Sequence, residues 1–171
     1  MPDTHDAALL SGDGLETWSA LATLLEWLPA ALDAQLQRDS GLTHFEYGLL
    51  FALADAPGHS LRLAVLAHYA NSSLSRISRA VSRLEARGWA TREPDPDDGR
   101  STLAALTEAG LETFRSASPG HERLVHRLVL DPLTEAQTRQ LRAISRRMMR
   151  AIRDEEGWRP SEARPPTILG Q

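Results

Sequence analysis

Between Leu61 and Leu106 the hydrophobic period changes twice, and that order constrains the fold more than anything else in the chain. Leu63, Leu66 and Ala67 put one apolar face on a short helix over about Arg62 to Tyr69, and Ala70-Asn71-Ser72 supplies a tight turn. Leu74, Ile77, Val81 and Leu84, spaced three, four and three, stripe a second helix from about Ser73 to Arg87, as a half-buried helix requires. Gly88 suits the left-handed position that ends it. Two short runs, Trp89 to Glu93 and Thr102 to Leu106, flank the turn-rich Pro94-Asp95-Pro96-Asp97-Asp98-Gly99-Arg100 and read as a β-hairpin with a long tip.

Two helices joined by a tight turn present the second one outward, so its polar face decides what the module does. Opposite the apolar stripe stand Ser72, Ser75, Arg76, Arg79 and Arg83, with Ser73 beside them at the helix start. Arg76, Arg79 and Arg83 share one face. A helix fits the major groove of DNA, where arginine pairs with guanine and serine reaches bases or phosphate. The whole chain carries a formal charge of −4, yet its 62–92 stretch holds six arginines (Arg62, Arg76, Arg79, Arg83, Arg87 and Arg92) and one acid, Glu85. A basic module on an acidic body is the electrostatic footprint of a DNA-binder. At the hairpin tip, Arg100 is placed to enter a minor groove, with Asp98 available to orient it by a salt bridge. Asp95, Asp97 and Asp98 would repel DNA unless occupied locally. They do not form a calcium loop, because Leu106 stands where the twelfth-position glutamate belongs.

The flanks are helical. Trp18, Leu21, Leu25, Leu28, Leu32 and Leu36 stripe a helix over 15–38, with Pro29 expected to kink or split it. Thr43-His44-Phe45-Glu46 is a capping box opening a helix to about Ala54, with Phe45, Leu49, Leu50 and Leu53 inward. Thr107 opens another, which Ser118-Pro119-Gly120 is expected to break or kink before it resumes to Leu130. Thr134-Glu135-Ala136-Gln137 caps the last, to about Arg153. That helix sets Arg139, Arg142, Arg146, Arg150 and Arg153 on one side and Leu141, Ile144, Met148 and Ile152 on another; Glu26 and Asp33 are available to pair with its arginines. The polar start, residues 1–14, and the Pro-rich end, 154–171, read as disordered tails.

Leu84-Glu85-Ala86-Arg87-Gly88-Trp89, then Asp95-Pro96-Asp97-Asp98-Gly99-Arg100, then Leu106-Thr107-Glu108-Ala109-Gly110 resemble the MarR family of bacterial transcriptional regulators over about Leu15 to Arg153. The resemblance implies a mainly α fold with a small antiparallel β-hairpin: a winged helix-turn-helix with N- and C-terminal dimerisation helices. It divides the chain into a dimerisation helix at 15–38, a DNA-binding domain at 39–110 and further dimerisation helices at 111–153. It implies a homodimer on a palindromic double-stranded DNA operator, acting as a ligand-responsive repressor, with a small aromatic or phenolic effector as the candidate ligand. On this sequence the recognition helix falls at Ser72 to Arg87, the wing at Glu93 to Leu103, and the wing Asp and Arg on Asp98 and Arg100. Gly99 departs from the pattern, since basic residues are common at such wing tips.

Cysteine is absent, which removes disulfides and thiol redox switches and makes the cytoplasm the default compartment. No apolar run is long enough for a membrane span. His121 and His126 stand five apart, not the four a shared zinc face needs, and no nucleophile elbow or phosphate loop occurs, so neither catalytic residue, metal nor cofactor is expected. His44 and Tyr47 are polar-aromatic residues near the expected ligand region, equally readable as packing. A helical interaction module without DNA binding, and a small-molecule-processing enzyme, stay open as alternative readings.

Overall fold

The computed structural model describes residues 10–155; the expected tails outside that range are not among the described residues. Helix α1 spans Gly12–Ser40, so it starts before the expected 1–14 tail ends. Gly41, at φ 65, donates its N–H to Gln37 and Leu36 carbonyls and closes it, which is the left-handed stop a glycine accepts most readily. Pro29 does not split α1. Leu25, four residues earlier, is exposed, so the carbonyl left without an intrahelical donor lies on the solvent side and the helix runs on.

Helix α2, His44–Asp55, carries the full capping box between Thr43 and Glu46. A second cap comes from α1: the Asp33 carboxylate accepts the His44 backbone N–H at 2.8 Å. Asp33 therefore serves α2 through that bond. After a turn at Pro57–His59 comes β1, Ser60–Arg62, a strand too short to leave a sequence period. It makes the expected hairpin a three-stranded antiparallel sheet of order β1-β3-β2, with β2 at Ala90–Pro94 and β3 at Thr102–Leu106. Register runs Ser60 to Ala105 on one side of β3, and Ala90 to Leu106 on the other.

Helices α3, Leu63–Tyr69, and α4, Leu74–Ala86, form the helix-turn-helix. Ile77, Val81 and Leu84 are fully buried, joined by Leu36, Leu42, Leu49, Leu50, Leu53 and Leu66 in one core. Leu74 leaves the expected stripe: it is 55% exposed, because the first turn of α4 projects past the core it packs on. Helix α5, Glu108–Val125, runs unbroken through Pro119. Arg115, four residues before, is exposed, so this proline too costs only a solvent-side bond. A π turn at His126–Leu130 leads to α6, Glu135–Asp154, which buries none of its residues. Among the described residues no helix is long and apolar enough to cross a membrane.

One corner locks the sheet to α5. Thr107 donates its backbone N–H to the Trp89 carbonyl at 3.1 Å and its hydroxyl to Gly88 at 2.7 Å, while the same hydroxyl oxygen caps Gly110 N–H at 3.0 Å. Gly110 approaches so closely that a Cβ there would lie 2.0 Å from the Trp89 carbonyl oxygen.

Candidate nucleic-acid interface

Ser73 caps α4, accepting the Arg76 N–H through its hydroxyl, which also bonds the Ser75 hydroxyl at 3.1 Å. From this start Ser73, Ser75, Arg76, Arg79 and Arg83 are all exposed. Ser72 departs from the expected outward face. Asn71 adopts a left-handed φ of 43, the Ser72 N–H bonds Ala67, and the Ser72 hydroxyl oxygen is buried without a partner. The turn folds back on α3 and carries that side chain inward.

The three aligned arginines are held differently, which no spacing rule reveals. Arg76 lies over the Phe45 ring, its guanidinium carbon 4.5 Å from the centroid. Arg83 donates from Nε to Glu46 at 2.9 Å, which leaves its terminal nitrogens for an outside acceptor. Arg79 has no such partner among the described residues. Phe45 and Glu46, both on α2, thus buttress the helix from behind. Burial pushes the Glu46 carboxyl up, but bonds from Arg83 and Thr43 outweigh it and hold the group below its ordinary range. Two other cations are internal: Arg92 bonds Ser78 and Ser82 of α4 and pairs with Glu85 at 3.0 Å, while Arg87 bonds the Gly41 carbonyl at 2.8 Å.

The wing acids are largely occupied. Asp95 is buried, ion-paired with Arg62 on β1, and accepts the Asp97 N–H at 2.9 Å. The Arg62 guanidinium beside it holds its carboxyl below the usual range. Asp98 accepts the Arg100 backbone N–H at 3.1 Å and the Ser101 hydroxyl at 2.8 Å; the Ser101 bond first, then the Arg100 N–H, lowers its pKa. The expected Asp98–Arg100 salt bridge is therefore not formed. The Asp closes its own turn, as Asx residues do, and leaves the exposed Arg100 guanidinium without a partner among the described residues. The sequence reading missed the Arg62–Asp95 anchor because it joins residues 33 apart.

Behind α2, His44 and Tyr47 face α5. Tyr47 stacks against His121 at 4.3 Å and Phe114 at 5.5 Å, and its hydroxyl meets Ser118 at 3.2 Å. His121 is buried, whereas His126 is exposed and 3.7 Å from Asp131, so the two histidines do not converge.

A model of the MarR family matches residues 40–101. The crystal structure of Sco3205, a MarR family transcriptional regulator from Streptomyces coelicolor in complex with DNA, superposes with a TM-score of 0.86 at 38% identity, covering 92% of this chain and 98% of that one. The PcaV regulator of the same organism, in complex with its natural ligand, superposes with a TM-score of 0.67 at 27% identity, covering 84% of this chain and 99% of that one. The transcriptional repressor IacR of Pseudomonas putida is 32% identical over 79 residues, 46% of this chain and 47% of its own length. The chain spans between about half and 58% of the length of the curated relatives it matches.

Proposed function

This chain belongs to the MarR family of transcriptional regulators, and from that premise we propose that it binds a palindromic DNA operator as a homodimer and represses transcription in the cytoplasm until a small effector releases it. It acts by binding and not by turnover. The observation that carries this reading is the exposed α4 face, where Arg79 has no partner among the described residues and Arg76 and Arg83 are braced outward by Phe45 and Glu46. Ser73, Ser75, Arg76, Arg79 and Arg83 take the major groove. Arg100 takes the adjacent minor groove, with Asp98 shaping the tip beneath it.

The dimer follows from apolar surface that one chain leaves uncovered: Trp18, Leu25 and Trp27 on α1, and Ile144, Met148 and Ile152 on α6. A two-fold pair sets the recognition helices about one DNA turn, roughly 34 Å, apart. A small-molecule effector is supported by the ligand-bound PcaV neighbour; we take it to be aromatic or phenolic, acting by favouring a helix spacing that misfits the operator. Selection from a random duplex pool, followed by a salt titration of the winning sequence, tests the reading. Affinity must fall steeply with salt; a protein that selects no duplex, or binds one without salt dependence, is not this regulator.

A further inference from the structure

We propose that the first turn of α2 is a lever between α5 and the recognition helix, and that the His44–His121 contact is its proton-sensitive end. Four consecutive residues divide their contacts between two neighbours. His44 and Tyr47, three apart, lie on the α5 side: their rings stand 5.6 and 4.3 Å from the His121 ring. Phe45 and Glu46 lie on the α4 side, under Arg76 and bonded to Arg83. A single helical turn is too rigid to move one pair of contacts without the other, so Phe45 and Glu46 are positioning residues for the groove-facing arginines.

The α5 end is built to respond to protons. His44 Nδ1 and His121 Nδ1 are buried without a hydrogen-bond partner among the described residues, as is Gln35 Oε1, so no hydrogen bond there holds a proton on either Nδ1. The charged groups around the pair are committed or distant. On α1, Asp33 accepts the His44 backbone N–H, and Asp39 accepts from Gln35 Nε2 at 2.9 Å and from Arg38. On α2 the titratable neighbour is Tyr47. On α5 they are Glu122 and Arg123, both exposed. Burial lowers the pKa of both histidines, against the weaker opposing pull of Asp33 on His44 and of Glu122 on His121; His44 lowers His121 further. The packed pair is thus neutral. A state in which the rings part and meet water regains the ordinary imidazole pKa of about 6.5 and takes up protons more readily. Acid therefore favours the parted state, by up to about tenfold per pH unit for each proton. A ligand that needs the packed state loses affinity in the same proportion.

The test uses the full chain with 13C-labelled histidine rings. Ring resonances are followed from pH 8 to 5, alongside amide exchange over residues 74–86 corrected for intrinsic rates. His44 and His121 should titrate below the ordinary value and affect each other. Protection of α4 should fall tenfold or more between pH 7.5 and 5.5. In the His44→Phe/His121→Phe variant at least nine-tenths of that fall should be lost. Should the double variant not fold by circular dichroism, His44→Phe alone decides, with at least half of the logarithmic fall removed. Glu46→Gln should lower α4 protection across pH 8 to 5, above the range where its carboxyl protonates, yet leave the ring titrations in place. Equal pH dependence in wild type and Phe variants, or rings titrating independently at ordinary values, overturns the proposal. The functional half rests on the DNA-binding reading. A duplex selected at pH 7.5 should bind more weakly at pH 5.5 in wild type than in the Phe variants. If no duplex is selected, that reading fails, while the ring and exchange measurements still decide the lever.

Discussion

Replacing Gly110 by alanine adds one methyl group where α5 meets the sheet. The Cβ would stand 2.0 Å from the Trp89 carbonyl oxygen and 2.8 Å from a Leu106 methyl, against the 3.4 Å at which ordinary contact begins. The first turn of α5 must retreat by about 1.4 Å or the Trp89 backbone must turn away. The obstacle is backbone, so it cannot swing aside as a side chain would. Overpacking of this kind costs about 1–3 kcal/mol, and the retreat sacrifices the Thr107-to-Trp89 bond, worth about 1 kcal/mol. Alanine's helix propensity returns at most about 1 kcal/mol, which leaves a net loss of roughly 1–3 kcal/mol. At roughly 2–4 °C per kcal/mol for a chain of this size, Tm falls by about 2–12 °C. Gly48 is the control. It lies mid-α2 with nothing within 4 Å of its would-be Cβ, so Gly48→Ala keeps the propensity gain and raises Tm by a few degrees. Thermal circular dichroism of both variants at one fixed protein concentration decides the matter. A Gly110→Ala melting point at or above wild type would refute the reasoning and show that the corner yields freely.

Three further outcomes follow from the α4 face and the wing. Arg79→Ala should relax preference among duplex sequences, and Arg100→Ala should weaken binding to all of them more evenly; competition against mutated duplexes separates the two, and unchanged binding in both defeats the site assignment. Gly99 has no positive φ and open space around it, so Gly99→Arg should fit, tighten binding and steepen the salt slope by about one; fluorescence anisotropy at several salt concentrations reads this. The Glu46 carboxyl titrates lower in the folded protein than unfolded, so its stabilisation is present at neutral pH and is lost as pH falls through the folded value. Glu46→Gln should therefore lower the urea midpoint at pH 7, a loss of about 1 kcal/mol of unfolding free energy, with the gap to wild type closing in acid.

Much of the fold was legible because periodicity reports burial. The Ile77, Val81 and Leu84 stripe, the Thr43–Glu46 box, the Thr102–Leu106 strand and the Gly88 stop are local patterns with local causes. Leu74 shows where such patterns mislead: position in a stripe does not say how far the core extends. Pro29 and Pro119 were over-read, because a proline's cost depends on whether the carbonyl it orphans meets solvent, and that is set by packing. β1 was invisible, since three residues hold no period and Ser60–Arg62 becomes a strand only through β3. At the site, the row of arginines was readable but their status was not. Phe45 under Arg76, Glu46 on Arg83 and Arg62 on Asp95 are pairings across the fold. Asp98 chose its own turn over the Arg100 guanidinium because the Arg100 backbone N–H and the Ser101 hydroxyl, two and three residues on, already satisfy its carboxylate.

Helix α6 has twenty residues and covers none of them. Most of a helix's stability in a protein comes from packing of its apolar face, and no α6 residue is buried among the described residues, so its order draws on whatever lies on it. With a second copy as that cover, stability becomes a function of how many molecules are present. Each tenfold dilution removes about 1.4 kcal/mol from the assembled form. Abundance then acts as a signal in its own right: below a threshold number of copies the paired reading heads are no longer assembled, whatever effector is present.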